Sequence, residues 1–422
     1  MKKNSWLLLS AFVCILLGIL TIQGCIKGTI KGPKTYTYTK YTPVYQLKKS
    51  VMAAVNGSPV EPIDSLGKIY IKDNLIFLND VDKGIHVIDN SNPAHPVQIA
   101  FLNIPGNEDI AIKGNILYAD MYSDLLAIDI SNLQQVQIKN MLPALFADRE
   151  YVNGFGMDSD QVIISWIKKD TTVPVPSNVN PIYYGGGPTM NLVPSAFSSS
   201  SSGGNGVAGS TAKMVLINNY LYAITERHEL GAIDVSDATS PVLISNNFAG
   251  YDLETIFPFK DKLFLGSDIG TFIYDISNPG NPTKVGEFTH GQACDPVITD
   301  GTDAYITLHA GTSCGGASNE LDVVNVQNIS DALLVKIYPM ISPKGLSKDG
   351  NLLFVCDGPD VVKLFDATDP AQLQLLAQIK TSGPYDVIAA NKNLMVLATQ
   401  GLYQYDYSNP RDIRLLSFFA VK

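Results

Sequence analysis

A unit of about 41 residues recurs along this chain, and its landmark is a β-rich run closing on Asp before a Ser/Thr–Asn/Asp–Pro turn. The copies are HVIDNSNPAHP (86–96), LAIDISNLQQV (126–136), GAIDVSDATSP (231–241), FIYDISNPGNP (272–282), DVVNVQNISDA (322–332), KLFDATDPAQL (363–373) and YQYDYSNPRDI (403–413). Their landmark residues, Asp89, Asp129, Asp234, Asp275, Asn325, Asp366 and Asp406, lie 40, 105, 41, 50, 41 and 40 residues apart. A period of this length built from short strands predicts an all-β chain, a β-propeller of four-stranded antiparallel blades. The repeat dictates an architecture and carries no chemistry of its own.

Each unit divides into four strand-like pieces. The second reads DIAIKG (109–114), NILYAD (115–120), LLAIDI (125–130) and QVQIKN (135–140), with Lys113-Gly114-Asn115 as its first turn. Near-continuous apolar runs suit strands covered on both faces by neighbouring blades. The closing Asp is expected to accept N–H bonds from the turn that follows, and Pro stops further pairing. These aspartates are therefore read as turn formers, not catalysts.

The long gap sets the blade count. Tyr151 to Met157 and Gln161 to Lys168 read as a hairpin, followed by a Pro-rich and then Ser/Gly-rich insertion at about 171–210. Eight blades result if the insertion lies inside a blade, and seven if the hairpin is a decoration. Eight is favoured, because a hairpin carrying Val162, Ile163, Ile164 and Trp166 needs partners. A single closed domain over 67–422 is expected either way.

The amino-terminal end reads as targeting. Lys2 and Lys3 precede an apolar stretch from Trp6 to Leu20, shorter than the ~20 residues of a spanning helix. Ile22-Gln23-Gly24-Cys25 resembles the lipobox of bacterial lipoproteins. That resemblance implies a signal peptide over 1–24, cleavage before Cys25 and acylation of its thiol; the competing reading is an uncleaved anchor or ordinary signal. Residues 25–66 are rich in Lys, Thr, Tyr and Pro and read as a lipidated tether, with Pro43 to Val51 placed against the outside of the disc. Removing Lys2 and Lys3 from the 30 basic residues leaves 28 against 40 acidic ones, a net charge of −12. Such acidity argues against nucleic acid and against a polybasic membrane face, leaving the lipid as the membrane contact.

The apolar-Asp-x-Ser-Asn-Pro rhythm of HVIDNSNP, AIDISN and YDISNPGNP resembles the LVIVD-repeat β-propellers, many of them bacterial lipoproteins. The resemblance spans roughly 67–420 outside the insertion, implies the fold, and carries no catalytic residues over. Asn325, Leu133 and Ala238 depart from its pattern.

Several constellations are weighed for chemistry. Cys294 precedes the first strand of its blade and Cys314 follows the second, two positions at one end of an antiparallel pair, so a disulfide is expected in an exported compartment. It competes with a zinc site of His290, Cys294, His309 and Cys314 and with free thiols. Cys356 reads as an inert buried thiol. Where the first strands begin, Glu108, Glu254, Asp295, Lys344 and Asp386 align near one ring at the channel mouth, either a site for a cation or basic ligand or a solvated funnel. The loop ThrGluArgHisGlu (225–229) is either acid–base machinery or a charged tip. No complete calcium loop, P-loop, dinucleotide fingerprint or Gly-x-Ser-x-Gly is present, so no cofactor is implied. The expectation is a monomeric, non-catalytic scaffold, lipid-anchored at the outer membrane, presenting loops to an envelope protein or glycan. The alternative is a hydrolase or lyase acting on an envelope or extracellular polymer at the channel mouth.

Overall fold

The structure, a computed structural model, describes residues 35–152, 154–157, 160–174, 207–208, 212–291, 296–310, 316 and 318–422. The chain divides into two compact units, 1–42 with 166–189 and 43–165 with 190–422. The second unit is a propeller of seven four-stranded antiparallel sheets in sequence order. Blade one runs Leu66–Lys72, Leu75–Asp80, Gly84–Asp89 and Val97–Asn103, here lettered a to d. The other blades repeat a to d over 110–142, 214–248, 253–289, 297–339, 343–380 and 384–420.

Strands a to c are apolar on both faces because each is covered by two neighbouring blades. In blade two, Ile116–Met121 is buried at every position, whereas the outermost strand of blade three, Val242–Phe248, is largely exposed. The apolar core runs between successive blades and closes on itself. At the closure, Leu66, Ile69 and Leu78 of blade one pack with Ile388, Leu397 and Leu402 of blade seven. Three blades open strand c on a glycine with positive φ: Gly84 (150°), Gly270 (157°) and Gly401 (151°). A side chain at Gly401 would meet the Phe419 carbonyl oxygen at 1.9 Å, so the close approach of strand d requires glycine there.

There are seven blades, which corrects the preference for eight. Tyr151–Val152 pairs only with Phe155–Gly156, and Gln161–Pro174 pairs with Thr35–Leu47. The strand partner of this segment is thus the chain's own amino-terminal region and not a further blade, while Val162 is buried in the propeller core and Ile164 stays exposed. In the first unit, Thr37 and Thr172 hydroxyls lie 2.8 Å apart and Thr39 donates to Asp170 at 2.7 Å, an antiparallel ribbon with Lys168 over the Tyr41 ring. In the second unit, Tyr45 donates to the Gly156 carbonyl at 3.1 Å, and the short helix Lys48–Met52 buries Lys48 and Val51. Two further strands extend blade one. Asn56–Ser58 pairs with strand d, and Val207–Ala208, the tail of the insertion, pairs with the inner strand at Ile71 and Tyr70. The signal segment, Cys25 and most of the 171–210 insertion lie outside the described residues.

Candidate functional site

The two ends of the propeller carry different chemistry. At the end where strands c and d join, the landmark residues build turns. Asp89, Asp129, Asp234, Asp275, Asp366 and Asp406 each accept the N–H of the residue two further on, at 2.7–2.9 Å, and Asn325 does so at 3.3 Å. The second turn residue repeats the device, with Asn92, Asn132, Asp237, Asp369 and Asn409 bonding two residues on. These bonds favour the ionised carboxylate. Backbone and hydroxyl donation from Ser131 brings Asp129 down to about 2, and donation from Lys262 and Ser277 does the same for Asp275. Every one of these aspartates is committed to a turn.

At the opposite end, a second aspartate motif lies where strand b finishes. Asp80 accepts the N–H groups of Asp64 and Ser65, Asp120 those of Glu108 and Asp109, and Asp357 those of Ile341 and Ser342. A basic side chain closes each clamp: His86 at 3.1 Å from Asp80, Arg149 beside Asp120, and Lys363 at 2.5 Å from Asp357. Each carboxylate thereby ties the entry of strand a to its own blade. Sequence reading missed these residues, although LIFLND, ILYAD and LFVCD share an aspartate at the end of the second strand. Gln98 holds the other His86 nitrogen at 2.7 Å. Burial pushes Asp80 up, but the His86 contact and the two N–H donors bring it below the ordinary carboxylate range.

The channel mouth lies at this same end. Strand pairing sets its levels through the a–b hairpins that close at Lys72, Lys113, Ile217, Phe259, Asp349 and Ala390. Counting back equally from these residues puts Lys68, Asp109, Lys213 and Asp386 on one level. Glu108, Glu254 and Lys344 stand one residue before it, and Asp295 lies outside the described residues. The aligned ring is therefore two adjacent tiers, and it gains Lys68, Asp109 and Lys213, which sequence alignment did not select. Bulges at Leu66/Ile69, Leu253/Thr255, Pro343/Leu346 and Pro384/Asp386 shift the register at the strand entrances.

Opposite charges interleave in these tiers. Burial lowers Lys68 to about 8, against the upward pull of Asp109, Asp386 and Glu108. Burial raises Glu108, but Arg149, Lys213 and Lys68 bring it below its usual range. Burial raises Glu254 to about 7, with Lys213 and Arg227 opposing and Asp268 and Asp252 adding. Asp109 also accepts the Met214 N–H at 3.1 Å, tying blade two to blade three. Arg149 lies beside Asp120 and 3.5 Å from Glu108.

Beside Glu254 the loop at 225–229 meets an exposed aromatic cluster. Phe248 and Tyr251 are 56% and 64% exposed, and Phe248 lies 6.2 Å from His228 and 5.1 Å from Tyr251, centroid to centroid. Thr225, in contrast, is buried and donates to Asn246 at 2.7 Å, which removes it from any acid–base set.

Cys294 and Cys314 lie outside the described residues, as does any bridge or zinc site they form. Of the histidines named with them, His290 contacts the Gly291 carbonyl, and His309 lies 3.3 Å from Asn319 and 3.1 Å from the Ser342 hydroxyl. Among the described residues, no group of three or more His, Cys, Asp or Glu is placed to hold a metal ion. Cys356 is fully buried, and burial pushes its thiol well up, away from the reactive thiolate.

Comparison with known proteins accords with this fold. The LVIVD repeat model matches residues 67–101, 107–140, 208–247 and 267–290. A Lactobacillus plantarum protein of known structure is 13% identical over 84% of this chain and 96% of its own, with a TM-score of 0.54. The computationally designed protein Ika8 is 9% identical over 86% and 90%, with a TM-score of 0.51. Dihydro-heme d1 dehydrogenase NirN, solved with DHE, is 11% identical over 85% and 67%, with a TM-score of 0.50. Identities this low speak to the fold alone. No curated protein matches the sequence. This chain thus carries LVIVD repeats, matched in its first four blades, and folds as a seven-bladed β-propeller.

Proposed function

We propose that this propeller is a non-catalytic binding scaffold, tethered at the outer membrane through lipid on Cys25, that presents its mouth end to an envelope protein or glycan. One observation carries the reading: Phe248 and Tyr251 are left exposed at the same end of the propeller as a mouth whose carboxylates and amines compensate one another. Large side chains of this kind are what binding surfaces use for contact area, whereas a reaction needs an acid and a base held apart in charge state. The lipobox-like Ile22-Gln23-Gly24-Cys25 supports the tether, and Ile26 in place of an aspartate after Cys25 supports the outer membrane.

A photo-crosslinking amino acid at Tyr251, compared with one at Asn132 on the opposite end, tests the surface in intact cells. Partner adducts are expected from position 251 only; equal adducts, or none at 251, remove the reading. Cys25→Ser is expected to release the protein from the membrane fraction.

One observation favours a second reading, a hydrolase or lyase acting on an envelope or extracellular polymer. Glu254, raised to about 7, has the protonation equilibrium of a general acid–base group at neutral pH. Turnover of any such polymer that survives both Glu254→Gln and Asp386→Asn removes this alternative.

A further inference from the structure

The aromatic cluster has a definite electrostatic setting. Phe248 ends strand d of blade three directly opposite Glu229, and Tyr251 follows in the loop to blade four. Backbone bonds fix both chains: Ala249 N–H to the His228 carbonyl at 2.8 Å, and Leu253 N–H to the Arg227 carbonyl at 2.6 Å. The backbone that carries the rings is thus held in place before any partner arrives, which lowers the entropic cost of docking. Carboxylates lie on the flanking residues. Glu226 lies 3.7 Å from His228, Glu229 accepts from Asn246, and Asp252 pairs with Arg227 at 2.6 Å. Asp268 and Asp252 both raise the neighbouring Glu254. Three acidic residues, Glu226, Glu229 and Asp252, therefore flank the cluster, and its arginine is already engaged by Asp252.

Ring faces and carboxylates attract the same kind of group. A guanidinium or ammonium gains from both, while its aliphatic stem covers apolar ring surface. A neutral glycan would use the rings without needing the acids, and an acidic partner would be repelled. Building on the mouth-end binding reading, we propose that the partner segment docking here is a basic polypeptide, with an arginine or lysine side chain laid across Phe248 and Tyr251 and its charge directed at Glu226 and Asp252.

The test titrates a fluorescent arginine-rich peptide against the full chain in detergent, beside the same peptide with citrulline replacing arginine. Binding is expected for the arginine peptide only, and it should weaken as salt rises. The pair Phe248→Ala/Tyr251→Ala and the pair Glu226→Gln/Asp252→Asn should each weaken it by about tenfold, in the range of interface anchor residues. These side chains are at least partly exposed, and Asn accepts the positive φ of Asp252, so unchanged circular dichroism and melting serve as the folding control. Equal affinity for the citrulline peptide, or binding that persists in both paired variants, overturns the proposal. So does an oligosaccharide whose binding is lost with the rings but unmoved by salt or by the carboxamides. That last result leaves the mouth-end reading standing, whereas absence of any crosslink at position 251 removes both.

Discussion

Single carboxylates in this protein titrate in opposite directions according to where the repeat puts them. A turn aspartate such as Asp366 accepts both the N–H and the hydroxyl of Thr368, so its charged form is favoured and its pKa falls. Stability from such a group is fully present above the unfolded pKa near 4 and is lost as pH falls through the folded value, down to about 2 for Asp129 and Asp275. Asp366→Ala should therefore lower the melting temperature at neutral pH and narrow its gap to wild type as acid is added, while Asp366→Asn, which keeps the acceptor, should lose less. Glu254 has the reverse sign. Its pKa rises to about 7, so the fold binds a proton that the unfolded chain releases, and this residue costs stability progressively between pH of about 4.5 and 7. With water reaching the mouth, Glu254→Gln should gain about 1–2 kcal/mol at pH 8 and nothing at pH 4, read from urea midpoints. The turn residues were legible because every repeat restates them. Lys68 and Lys213 were not, because a lysine at a strand entrance looks like any solvated residue until the pairing register places it among carboxylates.

Elements that belong to no repeat were the hardest to place. The four-strand rhythm of each blade could be read directly, since alternating and continuous apolar runs are separated by turn residues at regular spacing. Thr35–Leu47 was read as tether, yet its Thr-Tyr-Thr-Tyr start has the two-residue period of a strand. Its partner, Gln161–Pro174, lies more than a hundred residues away, beyond the reach of any local pattern. The adjoining helix Lys48–Met52 has no side-chain cap, and so its position depends on contacts outside itself. Lys48 supplies the chief polar one, 3.0 Å from an Asp124 carboxylate that is fully buried and also accepts the Ala144 N–H. Lys48→Ala leaves that charge without its cation and should cost about 3–5 kcal/mol in chemical denaturation. Adding Asp124→Asn to the lysine change should recover part of the loss, because the uncompensated charge is removed along with its partner.

The ring closes without a shared strand. Blade one draws its four propeller strands from 66–103 and blade seven from 384–420, so no sheet ladder crosses the seam, which is held by side chains and by the Lys422 N–H donating to the Ile63 carbonyl at 2.9 Å. Its apolar part is the packing of Leu66, Ile69 and Leu78 on Ile388, Leu397 and Leu402. Its polar part is a short series of bonds across the join: Tyr385 to the Leu66 carbonyl at 3.1 Å, Gln404 to Asn90 at 2.7 Å and Ser417 to the Pro93 carbonyl at 2.7 Å. The repeat predicted that the ends must meet, since each unit has two faces to bury, but it did not reveal which atoms would join them. Tyr385 is the most informative of these, being 5% exposed with its hydroxyl committed across the seam. Tyr385→Phe keeps the ring in its apolar site and removes only the bond, which should cost about 1–2 kcal/mol in urea unfolding. Tyr403→Phe is the control: its hydroxyl makes only a 3.4 Å contact with Gln400 in an exposed setting, and its loss should be near neutral. If the two changes cost the same, the Tyr385 bond contributes nothing beyond the packing around it, and the seam rests on its apolar contacts and the remaining polar bonds.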